Sequence, residues 1–151
     1  MRAAMKNRAP FVMLLGLLWG GTALAQDSDP PQTVEAGRAL YAVNCASCHG
    51  VNLEGQPDWR RRLPDGMMPA PPHDASGHTW HHPYADLFTI TKGGIGAVVP
   101  NYESNMPAFG ETLSDADITA ILHYIVSTWP ERQRAFFEEV ALNSGSVAQI
   151  R

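Results

Sequence analysis

Cysteine is scarce in this chain: there are two in 151 residues, and both fall in one pentapeptide, Cys45-Ala46-Ser47-Cys48-His49. Without a second pair, a zinc site lacks its four ligands. No run of β-branched strands alternates with helices, which removes the βαβ setting of a thioredoxin-like dithiol. A disulfide between Cys45 and Cys48 would close too small a loop to stabilise much. Catalytic constellations are missing as well: no Ser-His-Asp set, Gly-rich phosphate loop or pair of catalytic carboxylates is evident, which favours a carrier over an enzyme. Long apolar runs are limited to Phe11 to Gly21, too short to span a bilayer comfortably.

That apolar stretch reads as part of an export signal over residues 1–25. Arg2, Lys6 and Arg8 form its charged start, and Ala23-Leu24-Ala25 is its small-residue cleavage site, before Gln26. Basic residues are then in short supply. Of 11 Lys and Arg, three leave with the signal, so 8 remain against 15 acidic residues, a net charge of −7. Such a surface argues against nucleic acid or an anionic membrane as partner and suits a basic or mixed protein surface. The expected location is the periplasm, with no stable membrane insertion after cleavage.

What the chain does have is C-x-x-C-H. Two thiols three residues apart lie on one turn of helix and the imidazole follows at once, so both sulfurs and one ring nitrogen face a single flat object. This is the attachment signature of c-type haem, with Cys45 and Cys48 alkylated by the vinyl groups and His49 left for iron. Export agrees with it, since such attachment takes place outside the cytoplasm in bacteria.

Along the chain, residues 26–32 carry Pro30-Pro31 and read as a flexible tether. A helix is expected from Thr33 as N-cap, burying Val34, Ala36, Leu40, Tyr41 and Val43, with Gly37 either tolerated or marking a close helix approach. Residues 51–74 have no sustained period and hold five prolines, a long loop in need of a surface to pack on. Trp59, Leu63, Met67 and Met68 are its apolar groups. One of the prolines is expected to offer its carbonyl to Nδ1 of His49. Arg60-Arg61-Arg62 is either a propionate partner or a solvated turn. His73, His78, His81 and His82 invite a zinc or copper reading, beside that of a polar connector.

A second helix is expected over Pro83 to Lys92, burying Leu87, Phe88 and Thr91 or Ile90 and stopping at Gly93-Gly94. Then comes a loop centred on Asn105-Met106-Pro107-Ala108-Phe109. Met106 is the candidate second axial ligand, because a thioether is a neutral, soft donor and Pro107 stiffens the chain beside it; Met67, Met68, a histidine or an open site are the alternatives. Ser114 caps a third helix with Asp115 and Asp117 in its first turn and Ile118, Ile121, Leu122, Ile125 and Trp129 as a core stripe, leaving His123 exposed. Pro130 ends it, and residues 131–151 form an extension with a short helix over Glu131 to Leu142, whose Phe136 and Phe137 need a surface.

Taken together, Cys45-Ala46-Ser47-Cys48-His49, Leu87-Phe88-Thr89-Ile90-Thr91-Lys92-Gly93-Gly94, Asn105-Met106-Pro107-Ala108-Phe109 and Leu113-Ser114-Asp115-Ala116-Asp117-Ile118 resemble the monohaem class I cytochromes c, over about Thr33 to Trp129 within a domain of residues 33–130. The resemblance implies an all-α fold wrapped on one covalent haem c. It also implies His49 and Met106 as axial ligands, and one-electron transfer between redox protein partners, alone or as a subunit of an oxidoreductase complex. The Pro- and His-rich insertion from Asp58 to His82 departs from the smallest family members. Two other activities use the same features: a haem enzyme or gas sensor with a displaceable sixth ligand, and a copper-handling protein using the insertion.

Overall fold

The computed structural model describes residues 30–145. The expected signal and residues 26–29 of the expected tether lie outside them. Among the described residues there are five α-helices and no strand: α1 Pro30–Asn44, α2 Ala46–His49, α3 Tyr84–Gly93, α4 Asp115–Ser127 and α5 Glu131–Ser144. The all-α expectation is met. None of these helices is long and apolar enough to cross a membrane.

Helix α1 starts at Pro30, ahead of the expected cap at Thr33. The tether therefore ends sooner than composition suggests, because proline in a first helical turn gives up an N–H that has no intrahelical partner there anyway. Gly37 and Tyr41, one turn apart, are buried, whereas Ala36 is exposed and Val43 is 81% exposed, against expectation. At about 100° per residue, a face centred on positions 37 and 41 turns position 43 to the far side of the helix.

That buried face meets α4. A capping box starts α4: the Ser114 hydroxyl accepts from the Asp117 N–H at 3.2 Å, and the Asp117 carboxylate accepts from the Ser114 N–H at 3.0 Å. Asp115 and Asp117 sit where the helix dipole favours negative charge. Ile118, Ile121, Leu122 and Ile125 are buried as expected, and Trp129 just beyond the helix is sealed in. His123 is half-buried rather than exposed, its ring 6.3 Å from that of Tyr84. Where α1 crosses α4, a Cβ on Gly37 would run into the Ala120 main-chain carbonyl, so the glycine marks a backbone-close crossing. The rings of Tyr41 and Tyr124 meet at 5.5 Å beside it.

Helix α3 packs on α4 with Tyr84, Leu87 and Thr91 buried and Phe88 and Ile90 half-buried. Pro83 is its cap rather than its first residue, and Gly94 ends it at φ 79°, donating to the Ile90 carbonyl at 2.9 Å. The two phenylalanines of α5 divide their labour. Phe137 is fully buried with its ring edge-on to Trp129 at 5.2 Å, while Phe136, 42% exposed, packs on Trp80 and His81 at 5.4 Å each. Helix α5 is thus docked on the domain and runs two residues past Leu142, to Ser144, while residues 146–151 of the expected extension lie outside the described residues.

Replacing Gly37 by alanine sets a better helix former against a rigid carbonyl wall. Because the wall is backbone, overpacking wins, and Gly37→Ala is expected to destabilise the protein by roughly 1–3 kcal/mol in denaturant unfolding. A variant as stable as the native chain would contradict the close crossing.

Candidate functional site

The site is assembled on the single turn α2, which continues from the end of α1. Cys45 stands between the two helices, donating its N–H to the Tyr41 carbonyl at 2.8 Å, and the His49 N–H returns to the Cys45 carbonyl at 2.9 Å. Gly50 then leaves the turn at φ 82°, where a Cβ would collide with the Glu54 carboxylate. The Tyr41 hydroxyl donates to the Gly50 carbonyl at 3.2 Å, with that of His49 at 3.4 Å, so α1 holds the end of the turn from beneath. Its position one turn before Cys45 is the signal from which this support was readable.

Cys45 and Cys48 are free thiols rather than a disulfide; the first is buried and the second exposed. Burial, and then the neighbouring Cys48, push the Cys45 thiol up to about 11. His49 is buried too, and its Nδ1 lies 2.8 Å from the carbonyl oxygen of Pro71. A carbonyl can only accept, so Nδ1 carries the proton and Nε2 keeps its lone pair. Pro71 is therefore the proline whose partnership with His49 the sequence leaves open. Desolvation lowers the His49 pKa against an opposing pull from the Pro71 hydrogen bond, favouring the neutral, ligating imidazole.

His73, expected in a metal set or a polar connector, instead packs against His49, a role that sequence reasoning missed. Its ring stacks on that of His49 with centroids 3.9 Å apart and planes 15° from parallel, and it meets Tyr41 edge-on at 5.9 Å. Its carbonyl accepts from Trp129 Nε1 at 2.7 Å and its N–H donates to the Leu53 carbonyl at 2.8 Å, anchoring the insertion to the core. The other histidines of the insertion are dispersed among rings. His78 lies parallel to Trp59 at 5.2 Å, His82 is edge-on to His78 at 5.2 Å, and His81 contacts Trp80 and Phe136. Among the described residues, no group of three or more His, Cys, Asp or Glu is placed to hold a metal ion. Of the loop's apolar groups, Trp59 stacks on His78, Leu63 is 41% exposed, and Met67 and Met68 are half-buried. Of the arginine run, Arg60 lies over the Trp59 ring at 4.1 Å.

Met106 is half-buried on its own loop, its N–H donating to the Ser104 hydroxyl at 3.1 Å. Downstream the loop is tied to the end of α3, with the Phe109 N–H on the Thr91 carbonyl at 3.0 Å and the Gly110 N–H on that of Lys92 at 2.9 Å. Gly110 permits this approach, since a Cβ would meet the Lys92 carbonyl oxygen at 2.9 Å. Met67, by contrast, is engaged in a turn of the insertion, its carbonyl accepting from the Leu63 N–H at 2.8 Å.

Two unbridged thiols and one neutral imidazole with a directed Nε2, all within a single turn, fit a covalently attached haem. The family model described as cytochrome c matches residues 34–129. The chain belongs to the cytochrome c family. Among its relatives are cytochrome c6 of Picosynechococcus sp., 34% identical over 92 residues that make up 60% of this chain and 68% of that protein. Cytochrome c-555 of Prosthecochloris aestuarii is 31% identical over 64 residues, 38% of this chain and 65% of that one. The CcoP subunit of a cbb3-type cytochrome c oxidase from Azospirillum brasilense is 32% identical over 105 residues, 68% of this chain but 31% of the subunit. The cytochrome thus spans about a third of that subunit and just under two thirds of cytochrome c-555. No solved structure matches it. Family membership implies covalent haem c, and this cytochrome has the cysteine spacing for it.

The lowered histidines of the insertion are expected to make the stability of the cytochrome sensitive to acid. Burial lowers His78, with His82, His81 and Arg60 adding to it, and burial lowers His82, with Asp86 opposing and His81 assisting. Folded pKa values below the ordinary 6.5 mean that the unfolded chain binds more protons, so the stability from burying neutral rings is full above 6.5 and is lost as pH falls through the lowered values. The melting temperature is expected to drop over that window, and less steeply in His78→Gln/His82→Gln. Equal slopes in the two proteins would remove these rings from the acid response.

Proposed function

We propose that this protein is a periplasmic electron carrier in which Cys45 and Cys48 hold one haem c, and His49 and Met106 are its axial ligands. The hydrogen bond from His49 Nδ1 to the Pro71 carbonyl carries the reading, because it leaves a neutral Nε2 with its lone pair, on the ring edge opposite Pro71, within a C-x-x-C-H turn of free thiols. When bound, haem supplies a one-electron ferric/ferrous couple, and a thioether opposite imidazole raises its potential.

The residues of the chain do the rest. Pro71 fixes the imidazole and Tyr41 the main chain of its turn, the ties of Phe109 and Gly110 to α3 hold the loop bearing Met106, and the capped α4 supplies apolar side chains to the core. Cys48 is exposed on α2, and the carrier exchanges its electron with a redox protein partner. The acidic excess favours a basic redox protein as that partner. The names of the relatives support both a free carrier, like cytochrome c6, and a module of an oxidase, like CcoP. The charged, apolar and small-residue order of residues 1–25 supports export.

Redox titration with visible and near-infrared spectra on the native holoprotein and Met106→Ala tests the ligand pair. The native protein is expected to show the near-infrared thioether-to-iron band, and Met106→Ala to lose it and fall in potential. Identical spectra in the two would eliminate Met106 as a ligand.

A further inference from the structure

The insertion reaches both segments proposed to supply axial ligands, helix α2 and the Met106 loop. At one end Pro71 accepts from His49 Nδ1, and the two adjoining arms of the chain are joined by the Gln56 N–H on the Ala70 carbonyl and the Ala70 N–H on the Gln56 side chain, both at 2.9 Å. At the other end is a tight turn. The Leu63 N–H bonds the Met67 carbonyl at 2.8 Å, the Gly66 N–H bonds the Leu63 carbonyl at 2.9 Å, and the Met67 N–H bonds the Asp65 carboxylate at 3.0 Å. Gly66 supplies the left-handed φ of 86° that this turn requires. The Arg62 guanidinium is fixed across the turn by a 2.6 Å bond to the Gly66 carbonyl.

So held, the guanidinium faces the ring of Tyr102, with Cζ 5.9 Å from its centroid, within the range over which a cation is attracted to an aromatic face. Tyr102 is half-buried and lies four residues before Met106 on the same loop. It is itself shaped by a bond from its N–H to the Val99 carbonyl at 3.2 Å and by Asn101 at φ 62°. Between the two loops lies a cleft of about 270 Å³, lined by Arg62, Asp65, Gly66, Asn101, Tyr102 and Glu103. The two segments therefore meet through one cation and one ring, at the rim of this cleft.

We infer that Arg62 is a positioning residue: through Tyr102 the tip of the insertion clasps the Met106 loop, so that the segment fixing His49 also restrains the opposite ligand. The inference rests on the assignment of Met106 as the sixth ligand. Upstream of Met106 the loop has no tie comparable to those of Phe109 and Gly110 downstream, and the clasp supplies one on that side. Releasing it makes Met106 easier to displace without touching either axial residue.

Imidazole binding to the ferric holoprotein, followed by the Soret shift, reads this directly, because imidazole must displace the native sixth ligand. Arg62→Ala and Tyr102→Ala are each expected to tighten apparent imidazole affinity roughly two- to fivefold, the equivalent of one cation over an exposed ring. Their combination should exceed neither single change by much, since both break one contact. Arg62→Lys should stay nearer the native value, and Arg61→Ala should match it. Arg62→Ala behaving like Arg61→Ala, or a double variant equal to the product of the singles, would overturn the clasp. A native ferric protein without the thioether band would overturn the ligand assignment and the clasp with it, whereas a protein with the band and an unmoved Arg62→Ala would overturn the clasp alone.

Discussion

The hydrogen bond between His49 Nδ1 and the Pro71 carbonyl joins two parts of the molecule that local sequence keeps apart, and the site depends on it. On one side is a helical turn whose shape is set within five residues. On the other is a proline-rich loop that has no regular structure and takes its order from what it touches. The bond gives the loop a fixed point and the imidazole a fixed tautomer at once. Its acceptor is a neutral carbonyl, not a carboxylate, so it orients the ring without adding negative charge beside Nε2.

The surroundings of that bond keep the same character. His73 stacks on His49 and burial holds its pKa well below the ordinary value, with His49 and His78 adding to the effect, so the second ring is neutral as well. Tyr41, also against His73, has its phenol pushed well above the usual range by burial and stays protonated. With haem on His49 as proposed, these neutral neighbours on its histidine side would penalise the extra positive charge of the oxidised state and favour the reduced one.

Local spacing made some of this legible in sequence, and non-local contact concealed the rest. The C-x-x-C-H turn, the Ser114 cap and the stripe from Ile118 to Trp129 each act through neighbours within one or two turns, and the structure has the turn at α2, the cap at the start of α4 and the stripe in the core. The choice of Pro71 among five prolines depends on a contact 22 residues away, which no spacing rule encodes. Val43 was read as core because it is apolar; its exposure follows from where Gly37 lets α4 approach, a fact about a partner some eighty residues on. The histidines invite a metal reading because composition counts imidazoles, whereas in the fold their rings pack on other rings: His73 is stacked on His49, His78 is stacked on Trp59 and His81 is edge-on to Trp80.

That redistribution explains how so long an insertion can be rigid without a hydrophobic core of its own. Pro72 is fully buried, Gly77 packs against its carbonyl closely enough to exclude a side chain, and Thr79 donates to the same oxygen at 3.4 Å. Trp129, at the end of the helix that crosses α1, then takes the next carbonyl along, that of His73. The chain from the α1–α4 crossing through Trp129, His73 and Pro71 to His49 is therefore continuous. Movement of the imidazole would have to disturb the most buried side chains of the domain, Trp129 and Tyr41 among them. A one-electron site benefits from this stiffness, because geometry that does not relax between oxidation states adds little to the barrier of each transfer.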